Sequence, residues 1–173
     1  MRKKIRLVWV MGIALGFLSG CASHTLYLVR HAEKATAPAN DPPLTTVGQQ
    51  RALALRDSLR DKEIGLIYST NMLRTRSTAE PLAQTIGIPI KPYSTDTLWE
   101  VARYLTKLRR TNAMVVGHSN TLLPLLDQLP VTHQKKEIPD SDYDNLFVVT
   151  VQRRFLRPPL IRLQEKTYGA LAD

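Results

Sequence analysis

The sequence has few cysteines, few acidic residues and no long apolar run. Its 173 residues include one cysteine, which excludes an internal disulfide and a thiolate cluster for zinc or iron–sulfur. Eight glycines and eleven prolines are scattered, so the chain is not of low complexity. The sequence holds neither a GxxxxGK loop nor an HxxxH spacing. It therefore predicts neither a P-loop nucleotide site nor a metal site of that type.

Basic residues outnumber acidic ones. There are 24 Lys and Arg against 15 Asp and Glu, which gives a formal net charge of +9. Hydrophobic residues make up 43% and charged residues 23% of the chain, as is ordinary for a globular protein. The length predicts one domain. A charge of this size is compatible with a nucleic-acid or a membrane partner, and its position along the chain decides between them.

The first twenty residues have the pattern of an export signal. Four basic residues at positions 2, 3, 4 and 6 precede an uncharged, largely apolar run of twelve at residues 7–18. That length suits a signal peptide and is shorter than the ~20 residues of a membrane-spanning helix. An uncleaved anchor helix is the alternative. Removal of this segment would lower the net charge from +9 to +5, and an exported chain is not expected to meet nucleic acid.

The single cysteine follows this segment. The sequence LSGC at residues 18–21 resembles the lipobox of bacterial lipoproteins, in which the cysteine is lipidated and becomes the new N-terminus. A chance cysteine after an ordinary signal peptide is the alternative. The resemblance implies an exported chain that lipid on Cys21 holds to a bacterial membrane, and Ala22 resembles the sorting pattern for a periplasm-facing outer-membrane lipoprotein. We expect a lipoprotein signal peptide at 1–20, a lipidated tether at 21–25 and one domain at 26–173.

Strand and helix patterns alternate along the predicted domain. Compact apolar runs predict strands at 26–29, 65–68, 88–93, 113–116, 146–151 and 160–163. Helical spacing predicts four helices. The first runs from Thr45 or Thr46 to about residue 62, the second ends at Gly87, and the others span 97–110 and 121–129. We expect a loop at 34–44 and a terminal hairpin around residues 158–159. This order predicts an α/β fold, a three-layer α/β/α sandwich with a mostly parallel central sheet.

Two histidines directly follow predicted strands. His31 follows the strand at 26–29, and His118 follows the strand at 113–116. Functional groups of open α/β sheets gather at the carboxyl ends of the strands. The matched placement therefore predicts that these two side chains share a site. His24, in the tether, and His133, in a polar loop, are expected to be ordinary.

Cationic and helix-terminal groups accompany these histidines. Arg30 and Arg74 offer the rigid fork that suits phosphate oxygens. Arg30 ends a buried strand, where an unpaired charge would be costly. Ser119 opens the helix after His118, and free N–H groups there suit an anion, although helix capping explains Ser119 equally well. Together these groups predict a phosphate pocket.

The motifs that hold these residues resemble those of the histidine phosphatase superfamily, the phosphoglycerate-mutase-like clan. LVRHAEK resembles its Arg-His-Gly signature, with Ala32 in place of the glycine. Residues 41–55 resemble its Pro-Leu-Thr-x-x-Gly segment, residues 67–83 the stretch with the second arginine, and VVGHSNT the second-histidine motif. The four motifs stand in the family's order, and the resemblance implies a phosphoglycerate-mutase-like fold.

The resemblance also implies a reaction, that of a histidine acid-type phosphatase acting on phosphoric monoesters. His31 would attack the phosphorus and form a phosphohistidine intermediate. Arg30, Arg74 and His118, with Ser119, would bind the phosphoryl oxygens and stabilise the transition state. The family mechanism implies no cofactor and no metal. The expected partners are a phosphorylated small molecule or phosphoprotein as substrate and a membrane through the lipid.

The proton donor for the leaving group stays open. Many family members carry a glutamate in an insertion between the third strand and the next helix, and that interval is short here. Glu100, Asp96 and Glu33 are candidates, although Thr97 and Glu100 also fit a capping box. The short interval favours a phosphatase over a mutase. A non-hydrolytic phosphate-binding lipoprotein, a phosphohistidine-protein phosphatase and a mutase remain the alternatives.

Two exposed segments are assigned no catalytic role. Tyr143 is predicted to lie in a turn rather than to contact substrate. Arg153, Arg154 and Arg157 are predicted to be solvated charges, with anionic lipid headgroups as their alternative partners if the chain is anchored.

Overall fold

The computed structural model describes residues 22–171. The strands are β1 (Ser23–Arg30), β2 (Ile64–Ser69), β3 (Ile90–Pro92), β4 (Asn112–Gly117), β5 (Asn145–Arg154) and β6 (Arg157–Thr167). The helices are α1 (Thr46–Leu59), α2 (Leu73–Ile86), α3 (Leu98–Lys107) and α4 (Ser119–Asp127). The predicted signal peptide and Cys21 lie outside the described residues. Within the described part, no helix is long and apolar enough to cross a membrane.

The six strands form one sheet in the order β3-β2-β4-β1-β5-β6. β1 pairs with β4, β4 with β2 and β2 with β3, all in parallel. β5 pairs antiparallel with both β1 and β6. The predicted mostly parallel sheet is confirmed, and its two antiparallel pairings come from the terminal hairpin.

Both faces of the sheet are buried under helices. Leu26 and Leu28 of β1 pack in a cluster with residues of α3 and α4, whereas Tyr27 and Val29 pack in a second cluster with residues of α1 and α2. Successive strand residues point to opposite faces, which is why one apolar run supplies both clusters. The predicted three-layer α/β/α sandwich is confirmed.

β1 begins earlier than the sequence predicts. The tether expected at 21–25 is wrong for residues 23–25, which pair with β5 as the first residues of β1. His24 is correspondingly buried, and its Nε2 lies 2.8 Å from the carbonyl oxygen of Leu105. Burial lowers the pKa of His24, although the hydrogen bond to Leu105 opposes that shift. His24, which the sequence placed in the tether, is therefore part of the packing between β1 and α3.

Several prolines lie inside helices or strands. α2 continues through Pro81, and α4 contains Pro124 in its interior. The terminal hairpin turns at residues 155–156, so Pro158 and Pro159 lie inside β6. β6 is an edge strand, where the missing N–H of proline is tolerated.

The start of α3 also differs from its prediction. Thr95–Thr97 form a 3₁₀ turn before the helix, and Thr97 makes no side-chain capping hydrogen bond. The capping box predicted for Thr97 and Glu100 is therefore wrong. Glu100 lies exposed in the first turn of α3.

The connection from β1 to α1 is fixed at the backbone of Glu33. Thr45 N donates to the carbonyl oxygen of Glu33 at 2.9 Å, and Thr45 Oγ1 caps α1 by accepting from Gly48 N at 3.1 Å. A Cβ atom at Gly48 would overlap that same carbonyl oxygen. The Glu33 carboxylate pairs with Arg51, whose Nη1 also donates to the carbonyl oxygen of Ala170 at 2.7 Å. The glycine of the Pro-Leu-Thr-x-x-Gly segment thus lets α1 approach the strand exit that carries His31.

We expect Gly48→Ala to destabilise the fold. Alanine is favoured over glycine inside a helix by about 1 kcal/mol, so an open site would become more stable. Overlap of the new Cβ atom with the Glu33 carbonyl oxygen should instead lower the free energy of unfolding, because overpacking typically costs about 1–3 kcal/mol. Urea unfolding measures the change. Val47→Ala, at an exposed neighbouring position, is the matched control and should be near neutral. A stabilised Gly48→Ala variant would contradict the close approach.

Candidate active site

The two histidines predicted to share a site do so because β1 and β4 are parallel neighbours. Arg30 pairs in register with Gly117, and His31 N donates to the carbonyl oxygen of Gly117 at 2.9 Å. His31 and His118 therefore leave adjacent strands at the same edge. Their ring centroids are 5.3 Å apart in an edge-to-face arrangement.

A cleft of about 960 Å³ opens at this edge of the sheet. It contains all five residues that the sequence predicts for catalysis and phosphate binding, namely Arg30, His31, Arg74, His118 and Ser119. Further residues from the β2–α2 and β3–α3 connections complete its walls: Thr70, Asn71, Met72, Pro92, Tyr93, Ser94 and Thr95. The cleft thus collects the carboxyl ends of four strands.

The His31 ring is buried and neutral. Its Nδ1 lies 2.8 Å from the carbonyl oxygen of Ala32, which can only accept, so the proton is on Nδ1 and the lone pair is on Nε2. Burial lowers the pKa of His31 to about 3, and the nearby His118, Arg30 and Arg74 lower it as well, against the opposing effect of the Ala32 hydrogen bond. An unprotonated imidazole is the form that acts as a nucleophile.

α2 fixes the backbone that orients this ring. Ala32 N donates to Thr78 Oγ1 at 2.9 Å, and Thr78 Oγ1 donates to the carbonyl oxygen of Arg74 at 2.8 Å. Ala32 and Thr78 are both fully buried. One threonine of α2 therefore links the strand exit of His31 to the turn that presents Arg74.

A chain of hydroxyl groups orients His118. Its Nε2 lies 2.8 Å from Thr70 Oγ1, which lies 2.9 Å from Thr75 Oγ1. Thr75 donates to a backbone carbonyl, so Thr70 donates to Thr75 and accepts from His118, which places the proton of the neutral ring on Nε2. Burial lowers the pKa of His118 to about 4, with smaller contributions from Arg74 and Arg30.

The Arg30 guanidinium is held by a distant loop. Its Nη1 donates to the carbonyl oxygens of Pro139 at 2.6 Å, Asp142 at 3.1 Å and Asp140 at 3.2 Å. Arg30 is 2% exposed, so these carbonyls replace the water that its charge has lost. The loop before β5 is thereby fixed against the end of β1.

Tyr143 also contacts these groups. The Arg30 guanidinium carbon lies 4.2 Å from the centre of the Tyr143 ring, and the Tyr143 and His31 ring centroids are 6.0 Å apart. The sequence predicted a turn and no substrate contact for Tyr143, and the structure adds contacts with Arg30 and His31 that the sequence did not predict. Its ring packs against both the arginine and the candidate nucleophile.

Both candidate phosphate-binding arginines keep an unused donor. Arg30 Nε and Arg74 Nε are buried and have no hydrogen-bond partner within residues 22–171. Arg74 Nη1 lies 3.8 Å from Asp41 Oδ1, which accepts from Leu73 N at 2.8 Å and so caps α2. Buried donors without partners are costly, and an oxyanion in the cleft would satisfy them.

The three predicted proton-donor candidates lie elsewhere. Glu33 is paired with Arg51, whereas Asp96 and Glu100 are exposed and do not line the cleft. The one carboxyl group among the described lining residues belongs to Asp140, whose Oδ1 lies 3.2 Å from Arg30 Nη2. Within residues 22–171, no three His, Cys, Asp or Glu side chains are grouped to hold a metal ion. The cleft is equipped for an oxyanion.

Sequence reasoning missed four residues of the site. Thr70 and Tyr93 follow β2 and β3, and their strand-end positions are the signal that could have found them. Burial raises the pKa of Tyr93 to about 12, and its hydroxyl lies 3.4 Å from the carbonyl oxygen of Val116. Asp140 and Tyr143 stand in a loop without periodicity, and the sequence carries no signal that places them beside Arg30.

Curated relatives match 38% of the chain. The "Probable phosphoglycerate mutase GpmB" of Escherichia coli O1:K1 is 41% identical over 73 residues, which cover 38% of this chain and 33% of the relative. The protein of the same name from Citrobacter koseri is 39% identical over 71 residues, with the same coverage. The chain thus spans about a third of the length of the curated relatives it matches.

Solved structures share the fold over most of both chains. A structure described as the protein histidine phosphatase SixA complexed with tungstate has a TM-score of 0.64 at 18% identity and covers 83% of this chain and 96% of its own. Bacillus stearothermophilus YhfR has a TM-score of 0.59 at 18% identity, over 82% and 96% of the two chains. The family model of the histidine phosphatase superfamily, branch 1, matches residues 26–102. Over residues 26–102, less than half of its length, the chain is therefore similar to the histidine phosphatase superfamily.

Proposed function

We propose that this chain is a phosphatase that hydrolyses phosphomonoesters through a phosphohistidine on His31. The observation that carries the proposal is the state of the His31 ring. It is buried, its proton is on Nδ1, and its Nε2 lone pair is free in a cleft shared with two arginines. A neutral nucleophile among fixed cations is what transfer of an anionic phosphoryl group requires.

The reaction would take two steps. His31 Nε2 forms a bond to phosphorus while the phosphorus–oxygen ester bond breaks. The leaving oxygen takes the electron pair and a proton, which comes from the protonated carboxyl group of Asp140, the one carboxyl group among the described lining residues. Arg30, Arg74 and the N-terminus of α4 stabilise the charge on the phosphoryl oxygens. Water then attacks the phosphohistidine, which releases inorganic phosphate and restores His31. His118 lines the cleft beside His31, and in this structure its Nε2 proton is directed at Thr70.

The substrate class has two candidates. The cleft is open and polar at its walls, which suits a small phosphomonoester or a phosphorylated side chain on a protein. The structural neighbour described as a protein histidine phosphatase favours the second. A mutase would move phosphate between positions without releasing it, and a binding protein would hold phosphate without turnover. Release of inorganic phosphate from a panel of phosphate esters and phosphohistidine peptides separates these activities.

We also propose that lipid on Cys21 anchors the chain to a bacterial membrane. The basic and apolar start of the chain and the LSGC sequence support this, together with a fold that begins only two residues after the cysteine. The mass of the N-terminal peptide from membranes of a producing bacterium tests it. A peptide that begins at Cys21 and carries acyl chains is expected, and one that retains residues 1–20 would contradict the anchor.

His31→Ala should abolish turnover. We expect kcat/KM for 4-nitrophenyl phosphate to fall by roughly 10⁴-fold or more, because the covalent intermediate cannot form. His133→Ala is the matched control, since His133 contacts Asp127 and Lys135 outside the cleft and its loss should leave turnover unchanged. An acid-labile phosphoryl group should be trapped on the unsubstituted chain and be absent from His31→Ala. Activity retained by His31→Ala would refute the mechanism.

Asp140→Asn tests the proton donor. A poor leaving group needs a proton in the transition state, and such assistance is typically worth ~100-fold or more, whereas 4-nitrophenolate leaves without it. We expect Asp140→Asn to slow hydrolysis of alkyl phosphates far more than hydrolysis of 4-nitrophenyl phosphate. Glu100→Gln, at an exposed position away from the cleft, is the control. Equal losses for both kinds of substrate would show that Asp140 only positions Arg30.

Proton NMR titration tests the charge state of the two cleft histidines. The ring signals of His31 and His118, assigned by their loss in His31→Gln and His118→Gln, should not titrate between pH 8 and 5, because their pKa values are about 3 and about 4. The unfolded chain binds these protons near pH 6.5. The contribution of these two neutral rings to the free energy of unfolding should therefore be complete above pH 6.5 and fall as the pH drops towards 4. A His31 midpoint near 6.5 would contradict its burial as a neutral ring.

A further inference from the structure

The hairpin between β5 and β6 carries the most exposed apolar pair of the described chain. Phe155 is 76% and Leu156 88% exposed, and together they form the tip of the turn. Residues 151–163 contain four arginines and no acidic residue. Exposed aromatic and aliphatic side chains flanked by arginines are the composition of a segment that enters a lipid interface.

A second basic segment lies beside the hairpin. Lys107 at the end of α3 and Arg109 and Arg110 in the loop before β4 are exposed. The half-buried Arg153 links the hairpin to this segment, because its Nη2 donates to the carbonyl oxygen of Thr106 at 3.2 Å. Asp61 and Glu63 lie in the loop before β2 and alternate there with Arg60 and Lys62. This edge of the sheet is therefore apolar at its tip and basic around it.

The chain enters the described fold at the same place. Arg153 N donates to the carbonyl oxygen of Ala22 at 3.0 Å, and Arg153 stands two residues before Phe155. Cys21 is the residue directly before Ala22 in the sequence. Lipid on Cys21 would thus start beside the hairpin rather than at the end of a flexible linker.

The cleft lies at the opposite edge. β1 runs from Ser23 near the hairpin to Arg30 at the cleft, and its eight residues span roughly 23 Å at 3.3 Å per residue. We propose that Phe155 and Leu156, with Arg154, Arg157 and the basic segment 107–110, form a docking surface for an anionic lipid bilayer. This docking surface rests on the proposed lipid at Cys21, and it holds the cleft facing away from the membrane.

Fluorescence quenching by lipids with brominated acyl chains tests the orientation. The chain is produced with Trp9 and Trp99 replaced by Phe, purified from membranes and reconstituted in anionic vesicles; Trp9 belongs to the segment that processing at Cys21 would remove. A single reporter is then placed by Phe155→Trp at the tip or by Val47→Trp in the first turn of α1, where Val47 is 56% exposed. We expect strong quenching of the tip reporter and none of the α1 reporter. Equal quenching, or none at the tip, would overturn the docking surface.

Charge and activity measurements complete the test. Adding Arg154→Gln and Arg157→Gln to the tip-reporter chain should lower its quenching severalfold in anionic vesicles, since each basic residue near such a surface adds to binding. Unchanged quenching would overturn the role of the arginines. Hydrolysis of 4-nitrophenyl phosphate should be the same in every reporter chain, so loss of quenching with intact hydrolysis separates failure of docking from failure of the phosphatase. An N-terminal peptide without acyl chains would overturn the anchor and the fixed orientation with it.

Discussion

The parallel register between β1 and β4 determines where every candidate catalytic group lies. Because Arg30 stands opposite Gly117, the residues that follow, His31 and His118, leave the sheet side by side. Neither ring could be placed by its own strand alone, since each strand fixes only where its own chain leaves the sheet. The helices then complete the site from both faces, with α2 supporting the backbone after His31 and α4 opening directly after His118.

Electrostatics in the cleft are arranged by burial rather than by ion pairing. Arg30 donates to backbone carbonyl oxygens, which carry no net charge, and its one acidic partner among the described residues is the exposed Asp140 side chain, so its positive charge remains available to a ligand. The same charge, together with burial, keeps both histidines unprotonated. A bound phosphate would contact Arg30 and Arg74, whose positive charges are only partly compensated by Asp140 and Asp41. The permanently charged arginines would thus bind the phosphoryl group, whereas the neutral His31 would form the bond to phosphorus.

Local chemistry in the sequence predicted most of the fold and the site, and long-range contacts account for what it missed. Apolar runs and strand-end positions identified His31 and His118 because both signals depend on a few adjacent residues. The partners of Arg30 lie about 110 positions away in an irregular loop, so no spacing reveals them. His24 was predicted to lie in the tether because the sequence carries no signal for the pairing of residues 23–25 with β5. The hairpin turn was predicted at Pro158 and Pro159, but these prolines lie inside β6, an edge strand that tolerates them.

The acceptor that sets the proton on His31 is a main-chain oxygen, the carbonyl of Ala32. No side-chain replacement can delete it, so the tautomer of the nucleophile has no partner residue that evolution could exchange or a mutational scan could expose. The orientation of His31 should instead be sensitive to substitution of residues that hold this part of the main chain in place, such as Thr78 and Gly48. The residues that orient this histidine therefore act on it only through the main chain.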